Sequence, residues 1–196
     1  YKVKDKISKV LSKIPKWIYK IICIDDLCPE NSGKHITSNI NDDRIIVLLN
    51  KKNLGVGGAT MEGFLEAKKH EADLIIKIDG DDQMDLKYLK DFIDPIVNHE
   101  ADFTKGNRFT KFTDYEKMPL IRKIGNIFLS FFNRFASGYW NIFDTTNGYI
   151  CLNAKLLNLL PLSKISKDYF FESDLLNWLY IIRANVKDMP IKSIYD

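Results

Sequence analysis

The residues best suited to chemistry are a cluster of carboxylates at positions 78–83, where the sequence reads IDGDDQ directly after an apolar run. Three carboxylates within four positions repel one another unless a cation lies among them. A hard divalent cation such as Mg²⁺ or Mn²⁺ takes oxygen ligands of this kind, and Gly80 lets the backbone turn so that Asp79 and Asp81 can converge. The alternative is a solvated turn whose acids cap the following helix.

A glycine-rich segment at 52–59, with the sequence KNLGVGGA, lies between two apolar runs. A helix that opens on glycines can present backbone N–H groups to a phosphate or nucleotide. A dinucleotide-binding loop would instead need G-x-G-x-x-G directly after the first strand, with an acid about 20 residues further on. The glycine spacing here does not match that motif.

Apolar runs and helical periodicity predict the elements that position these residues. The predicted strands are 18–24, 44–49, 74–78, 101–104 and a short one after Gly148, and the segment 28–34 is a predicted loop. The predicted helices are 3–14, 59–70, 86–98 (broken at Pro95), 119–137, 154–160 and 170–184. This alternation predicts an α/β fold with a largely parallel sheet covered on both faces, whose ligands bind beyond the carboxyl ends of the strands.

Composition excludes several classes of protein. The 196 residues carry 29 Lys and Arg against 26 Asp and Glu, so the net charge of +3 gives no reason to expect a nucleic-acid partner. Three irregularly spaced cysteines predict neither a disulfide framework nor a zinc site and favour a reducing compartment. No apolar run reaches the roughly 18 residues of a membrane helix, and no linker divides the chain, so we expect one domain over 1–196.

Four short motifs occur in series at 25–26 (DD), 53–59 (NLGVGGA), 79–83 (DGDDQ) and 106–109 (GNRF). Together they resemble the family 2 glycosyltransferases of the GT-A fold, a Rossmann-like, mostly parallel sheet flanked by helices. The polyprenyl- (dolichol-) phosphate sugar transferases and their bacterial relatives are the most similar group. The resemblance implies inverting, Mg²⁺- or Mn²⁺-dependent transfer of a sugar from a UDP- or GDP-sugar to a polyprenyl phosphate or a saccharide. It also implies a cytoplasmic location at the membrane surface.

The resemblance implies roles for individual residues. Asp25 or Asp26 would recognise the base or ribose of the nucleotide. The implied nucleotide-binding group comprises Asp25, Asp26, Lys52, Asn53, Gly55, Gly58 and Asp79, and the implied metal ligands are Asp79, Asp81 and Gln83. Two arginines, Arg108 and Arg122, would hold the acceptor phosphate. Asp144, Glu172 and Asp174 are candidates for the general base that a hydroxyl acceptor needs.

The chain also departs from the family pattern. Residues 144–149 read DTTNGY where the family has D-x-x-S-G-F, so Asn147 replaces serine and Tyr149 replaces phenylalanine. The family's first strand and its Pro-x-Tyr-Asn-Glu turn are missing before Tyr1, which predicts a fragment of a longer chain.

Other readings of the same residues stay open. A non-catalytic nucleotide-sugar-binding domain of this fold would bind the donor without releasing diphosphate. A nucleotidyltransferase would show a glycine-rich signature with Arg and Lys at its start, and an aspartyl phosphoacceptor domain would be shorter. Basic residues at 2–20 are either a solvated helix face or a surface that contacts anionic lipids. The helix predicted at 119–137 carries Phe128, Phe131, Phe132 and Phe135, which are either core residues or contacts with a membrane surface. The oligomeric state is left open.

Overall fold

A computed structural model describes residues 2–108 and 138–192. The α-helices are α1 (Lys4–Lys13), α2 (Ser32–Asn39), α3 (Gly55–Lys69), α4 (Leu89–Val97) and α5 (Phe171–Ile181). The strands are β1 (Ile21–Asp25), β2 (Ile45–Leu49), β3 (Leu74–Lys77), β4 (Phe103–Asn107), β5 (Ile150–Asn153) and β6 (Val186–Pro190), and two 3₁₀ helices cover Leu86–Tyr88 and Ala154–Asn158. Arg122 and the predicted aromatic helix at 119–137 lie outside the described residues.

The strands form two sheets. β1 and β2 pair in parallel, and the second sheet has the order β3-β5-β4-β6. β4 and β6 are parallel, whereas β5 runs antiparallel to both β3 and β4. Within each sheet every described strand except β5 therefore points the same way, which agrees with the predicted α/β fold.

The larger sheet is covered by helices on both faces, and its strands direct alternate side chains into the two cores. In β5 and the residue before it, Ile150 and Leu152 pack into a core with α3 and α5, whereas Tyr149 and Cys151 pack into a second core against α4. A third core joins α1 and α2 to β1 and β2 and includes Ile7, Leu11, Ile21 and Ile36. The carboxyl edge of the larger sheet is thus held rigidly from both sides.

Four local features differ from the sequence-based expectation. Residues 32–39 form α2, although the polar segment 28–34 predicted a loop. α3 begins at Gly55 rather than near residue 59, and α4 passes through Pro95 and ends at Val97. The segment 154–160 forms a 3₁₀ helix rather than an α-helix. Among the described residues, no helix is both long enough and apolar enough to cross a membrane.

We predict that Phe92→Ala lowers the free energy of unfolding by about 3–5 kcal/mol, the usual cost of truncating a buried phenylalanine. The Phe92 ring is fully buried and stacks on Tyr149 with 4.3 Å between ring centroids. Urea denaturation followed by circular dichroism measures the change. Leu159→Ala, on an exposed side chain, is the control and should change the stability by less than about 0.5 kcal/mol. Equal losses in the two variants would contradict this description of the core.

Candidate active site

The strand register brings three chain segments to one edge of the larger sheet. Lys77 at the end of β3 and Lys105 in β4 both lie opposite Ile150, the first residue of β5. Because β5 is antiparallel to its neighbours, the segment 144–148 that leads into it lies beyond the carboxyl ends of β3 and β4. The acidic segment 79–82, which follows β3, reaches the same edge.

Arg108 and Asp144 form a two-pronged ion pair at this edge. The Arg108 Nε donates to Asp144 Oδ2 at 2.7 Å, and its Nη2 donates to Asp144 Oδ1 at 2.9 Å. The Arg108 main-chain N–H and the Asn147 side-chain amide also donate to Asp144 Oδ2, at 3.2 and 3.3 Å. The Asp144 carboxylate is completely buried, whereas the Arg108 side chain is 34% exposed. The buried carboxylate therefore fixes the orientation of the partly exposed Arg108 side chain.

Lys105 is a buried cation directly beneath this pair. Its ammonium group donates to the carbonyl oxygen of Asn147, and the side chain has almost no exposure. Burial lowers the pKa of Lys105 to about 8, and the nearby carboxylates of Glu172 and Asp144 act in the opposite direction. The bond to Asn147 fixes the turn from which Asp144 projects.

Lys77 lies between two carboxylates. Its Nζ is 2.7 Å from Asp79 Oδ1 and 3.7 Å from Glu172 Oε1. Lys77 and Glu172 are largely buried, while the Asp79 side chain is 40% exposed. Gly148 faces this group closely, and a Cβ atom there would overlap Lys77 Nζ and lie 3.0 Å from Asp79 Oδ2. The absence of a side chain at 148 leaves the space that the ammonium group occupies.

The predicted metal ligands occupy the turn after β3. Asp81 is half-buried and accepts a 3.1 Å hydrogen bond from the main chain of Gln83, whose side chain is exposed. Asp82 faces α1 instead, where Lys9 and Lys13 approach it at 2.7 and 2.5 Å. Two carboxylates and a carboxamide are hard oxygen donors that suit Mg²⁺ or Mn²⁺. No group of three or more His, Cys, Asp and Glu side chains within 2–108 and 138–192 is arranged to hold a metal ion.

Asp25 and Asp26 both bond to main-chain N–H groups. Asp25 accepts from Cys28 and Gly33 at 2.6 Å each, which shapes the turn that leads into α2. Asp26 accepts from the N–H groups of Leu54 and Gly55, at 2.8 and 2.9 Å, and from the Asn50 side chain. These two carboxylates organise the β1 edge, and recognition of a base or ribose by either one stays a prediction.

The N-terminal turn of α3 is covered by protein. The N–H groups of Gly57 and Gly58 donate to the carbonyl oxygen of Lys167 at 2.9 and 3.1 Å, and the Gly55 N–H donates to Asp26. Gly55 has a φ of +79°, and a Cβ there would lie 2.5 Å from the same carbonyl oxygen. The amides of Gly55 and Gly58 each donate to a protein oxygen, and their role in nucleotide binding stays a prediction. Lys52 and Asn53, just before this turn, remain exposed.

Asp174 also has a local partner. Its Oδ2 accepts a 2.7 Å hydrogen bond from the main-chain N–H of Ser166. That bond holds the segment whose next residue, Lys167, covers the start of α3. Of the three candidate bases, Asp144 and Asp174 thus accept short hydrogen bonds, whereas Glu172 lies beside the ammonium group of Lys77.

The family model described as glycosyl transferase family 2 matches residues 2–160. The chain belongs to glycosyl transferase family 2. It is 30% identical over 152 residues to UDP-N-acetylglucosamine–dolichyl-phosphate N-acetylglucosaminyltransferase of Methanococcus voltae, a match that covers 78% of this chain and 60% of that protein.

One further relative and one solved structure are also similar to this family 2 chain. Undecaprenyl-phosphate 4-deoxy-4-formamido-L-arabinose transferase of Proteus mirabilis is 36% identical over 65 residues, 32% of this chain and 19% of that protein. The crystal structure of glucosyl-3-phosphoglycerate synthase from Mycobacterium tuberculosis, in complex with Mn²⁺, UDP-glucose and phosphoglyceric acid, superposes with a TM-score of 0.69 at 13% identity. That superposition covers 98% of this chain and 68% of the other, and it shows the GT-A fold.

Sequence reasoning missed several residues of this sheet edge. Lys77 lay in the predicted strand 74–78 without an assigned role, Lys105 lay just beyond the predicted strand 101–104, and Asp188 was given no role. Asp188 accepts a hydrogen bond from the Asn107 side chain, and burial raises its pKa to about 6. A lysine inside an otherwise apolar strand, directly before an acid cluster, is the signal that could have indicated Lys77.

We predict a pH dependence of stability that comes from Lys105. Because burial lowers its pKa from 10.5 to about 8, the unfolded chain binds more protons than the folded one between these values, and this residue makes stability rise with pH there. The contribution can reach about 1.4 kcal/mol per pH unit.

Urea unfolding of the wild type and of Lys105→Met, at about pH 7.5 and about pH 9.5, measures this contribution as a difference. The wild type should gain stability relative to the variant at the higher pH. Lys155→Met, at an exposed lysine after β5, should follow the wild type. A constant difference between wild type and Lys105→Met at both pH values would contradict the prediction.

Proposed function

We propose that this chain is the catalytic domain of an inverting glycosyltransferase that transfers a sugar from a UDP-sugar to the phosphate of a polyprenyl carrier. Membership of family 2 and the names of two relatives support this activity. The single observation that carries the choice of acceptor is the two-pronged Arg108–Asp144 pair. The chain spans 60% of the Methanococcus relative, and we extend the proposal to residues 1–196 as one domain.

Arg108 suits a phosphate acceptor. Its guanidinium is held at the Nε and Nη2 atoms by a buried carboxylate, and about a third of the side chain remains exposed. A planar guanidinium with five N–H donors is well suited to bind a phosphate oxyanion, and this one lies at the carboxyl edge of the larger sheet. The buried Lys105 ammonium adds positive charge beneath the same turn. Arg122, which the family resemblance implies as a second phosphate ligand, lies outside the described residues and stays a prediction.

The proposed reaction needs no general base. An oxygen of the ionised acceptor phosphate attacks the anomeric carbon, the bond from that carbon to the donor diphosphate breaks, and the nucleoside diphosphate leaves with the electron pair. A hydroxyl acceptor would also have to lose a proton to a nearby side chain. Both oxygens of Asp144 already accept from Arg108, and Asp174 accepts from Ser166. This occupancy favours an acceptor that is already ionised, with positioning as the main catalytic contribution.

The donor side of the site rests on the turn after β3. Asp79 and Asp81 would hold a divalent metal ion, with Gln83 as a third protein ligand, and their oxygen donors suit Mg²⁺ or Mn²⁺. Such an ion, when bound, supplies a Lewis acid that neutralises the charge of the departing diphosphate. The nucleotide would lie toward β1 and the start of α3, near Asp26, Lys52 and Asn53.

A polyprenyl acceptor places the domain at a membrane surface, and we propose the cytoplasmic face. α1 and the loop after it carry several lysines together with the exposed aromatic side chains of Trp17 and Tyr19. Basic and aromatic side chains of this kind favour contact with anionic lipid headgroups.

We predict that Asp81→Ala lowers the rate of sugar transfer by at least about 100-fold, because the charge of the departing diphosphate would lose its counter-ion. Release of UDP from UDP-N-acetylglucosamine, with Mn²⁺ and a polyprenyl phosphate present, measures the rate. Asp73→Ala is the matched control, since Asp73 is an exposed aspartate at the opposite end of the same strand. Its activity should stay within about twofold of wild type. Wild-type turnover in Asp81→Ala would remove the metal-dependent mechanism.

We predict that Arg108→Lys raises the KM for polyprenyl phosphate by about tenfold or more and leaves UDP-sugar binding within about twofold. Lysine keeps the charge but lacks the planar pair of donors. Steady-state kinetics gives the acceptor KM, and calorimetry gives the donor Kd. Arg183→Lys, at an exposed arginine after α5, is the matched control and should change neither value. Equal weakening of donor and acceptor would contradict an acceptor role for Arg108.

A further inference from the structure

One buried ammonium group is shared between a proposed metal ligand and the buried carboxylate at the start of α5. Lys77 Nζ lies 2.7 Å from Asp79 Oδ1 and 3.7 Å from Glu172 Oε1. The side chains of Lys77 and Glu172 are 11% and 10% exposed, so neither charge is well hydrated. The Asp79 carboxylate, at 40% exposure, is the solvent-facing end of this chain of three charges.

A divalent cation and the Lys77 ammonium would compete for Asp79. Two positive charges on one carboxylate repel each other strongly at distances of a few ångströms. The only other carboxylate that the described residues place beside Lys77 Nζ is Glu172. A small rotation of the lysine end would bring it from Asp79 toward Glu172, and the missing side chain at Gly148 leaves room for that movement.

We propose that Lys77 is a positioning residue that neutralises Asp79 while the metal is absent and pairs with Glu172 once a divalent cation occupies Asp79. Metal binding at the turn after β3 is thereby linked to the orientation of Glu172 on α5. This inference rests on the proposed function, because it takes Asp79 as a metal ligand.

The arrangement has two consequences that can be measured separately. Removal of the ammonium group removes a competitor for Asp79, so the metal should bind more tightly. The same change leaves Glu172 buried without its nearest counter-charge, so turnover should fall although the metal is bound. A role for Lys77 as a simple support for Asp79 would instead weaken metal binding when the lysine is removed.

The experiment is a titration of Mn²⁺ into the protein without any donor, followed by the electron paramagnetic resonance signal of free Mn²⁺. We expect Lys77→Met to bind Mn²⁺ about two- to fivefold more tightly than wild type, the range that loss of a partly exposed ion pair gives. With saturating Mn²⁺ and UDP-sugar, its kcat should fall about tenfold or more. Tighter metal binding together with lower turnover is the signature of the proposal.

A second variant covers the case in which Lys77→Met does not fold. Glu172→Gln keeps the lysine but removes the carboxylate that would receive its ammonium group once a cation occupies Asp79. It should bind Mn²⁺ about two- to fivefold more weakly than wild type. Glu62→Gln, at an exposed glutamate of α3, is the matched control and should bind as wild type.

The outcomes separate this inference from the proposed function. Wild-type protein that binds no Mn²⁺ at millimolar concentration would overturn the metal site itself. Wild-type protein that binds Mn²⁺, combined with equal or weaker binding by folded Lys77→Met, or with equal or tighter binding by folded Glu172→Gln, would overturn the role of Lys77 alone and leave the glycosyltransferase assignment in place.

Discussion

Two buried ammonium groups, those of Lys77 and Lys105, need partners of opposite charge or hydrogen-bond acceptors. This need shapes the carboxyl edge of the larger sheet. An ammonium group taken out of water without partners costs several kcal/mol, so each must meet carboxylates or carbonyl oxygens. Glu172 at the start of α5 lies beside Lys77, and the Asn147 carbonyl receives Lys105. The turn before β5 and the first turn of α5 are therefore placed by electrostatics, and both contribute to the site.

The pairing of Asp144 with Arg108 bears on proton transfer at the same edge. A general base needs an oxygen within reach of the substrate proton and free to accept it. Asp144 uses both oxygens to hold Arg108, with the short distances of a charge-assisted pair. The carboxylate thus acts through the guanidinium that it orients, which is why we propose an acceptor that is already ionised.

The sequence was informative where local pattern decides structure. Two apolar runs that end in acids predicted β1 and β3, with carboxylates at the carboxyl end of each strand. The series of four motifs indicated the family. The reversed direction of β5 could not be predicted, because a four-residue apolar strand carries no signal of its orientation. α2 was missed because its polar, glycine-containing sequence lacks helical periodicity. The pairing of Arg108 with Asp144 joins residues 36 positions apart and depends on that reversed strand.

The glycines at the start of α3 show how the same local signal can serve a different purpose. Glycines before a helix commonly allow a phosphate to approach the backbone. Here the carbonyl of Lys167 takes that place, and Asp174 fixes the preceding residue through its main chain. Asp26 holds the other side of the same turn from the end of β1. α3 therefore joins the β1 edge, where the nucleotide is proposed to bind, to α5 and Glu172, so the donor and acceptor sides of the site share one rigid connection.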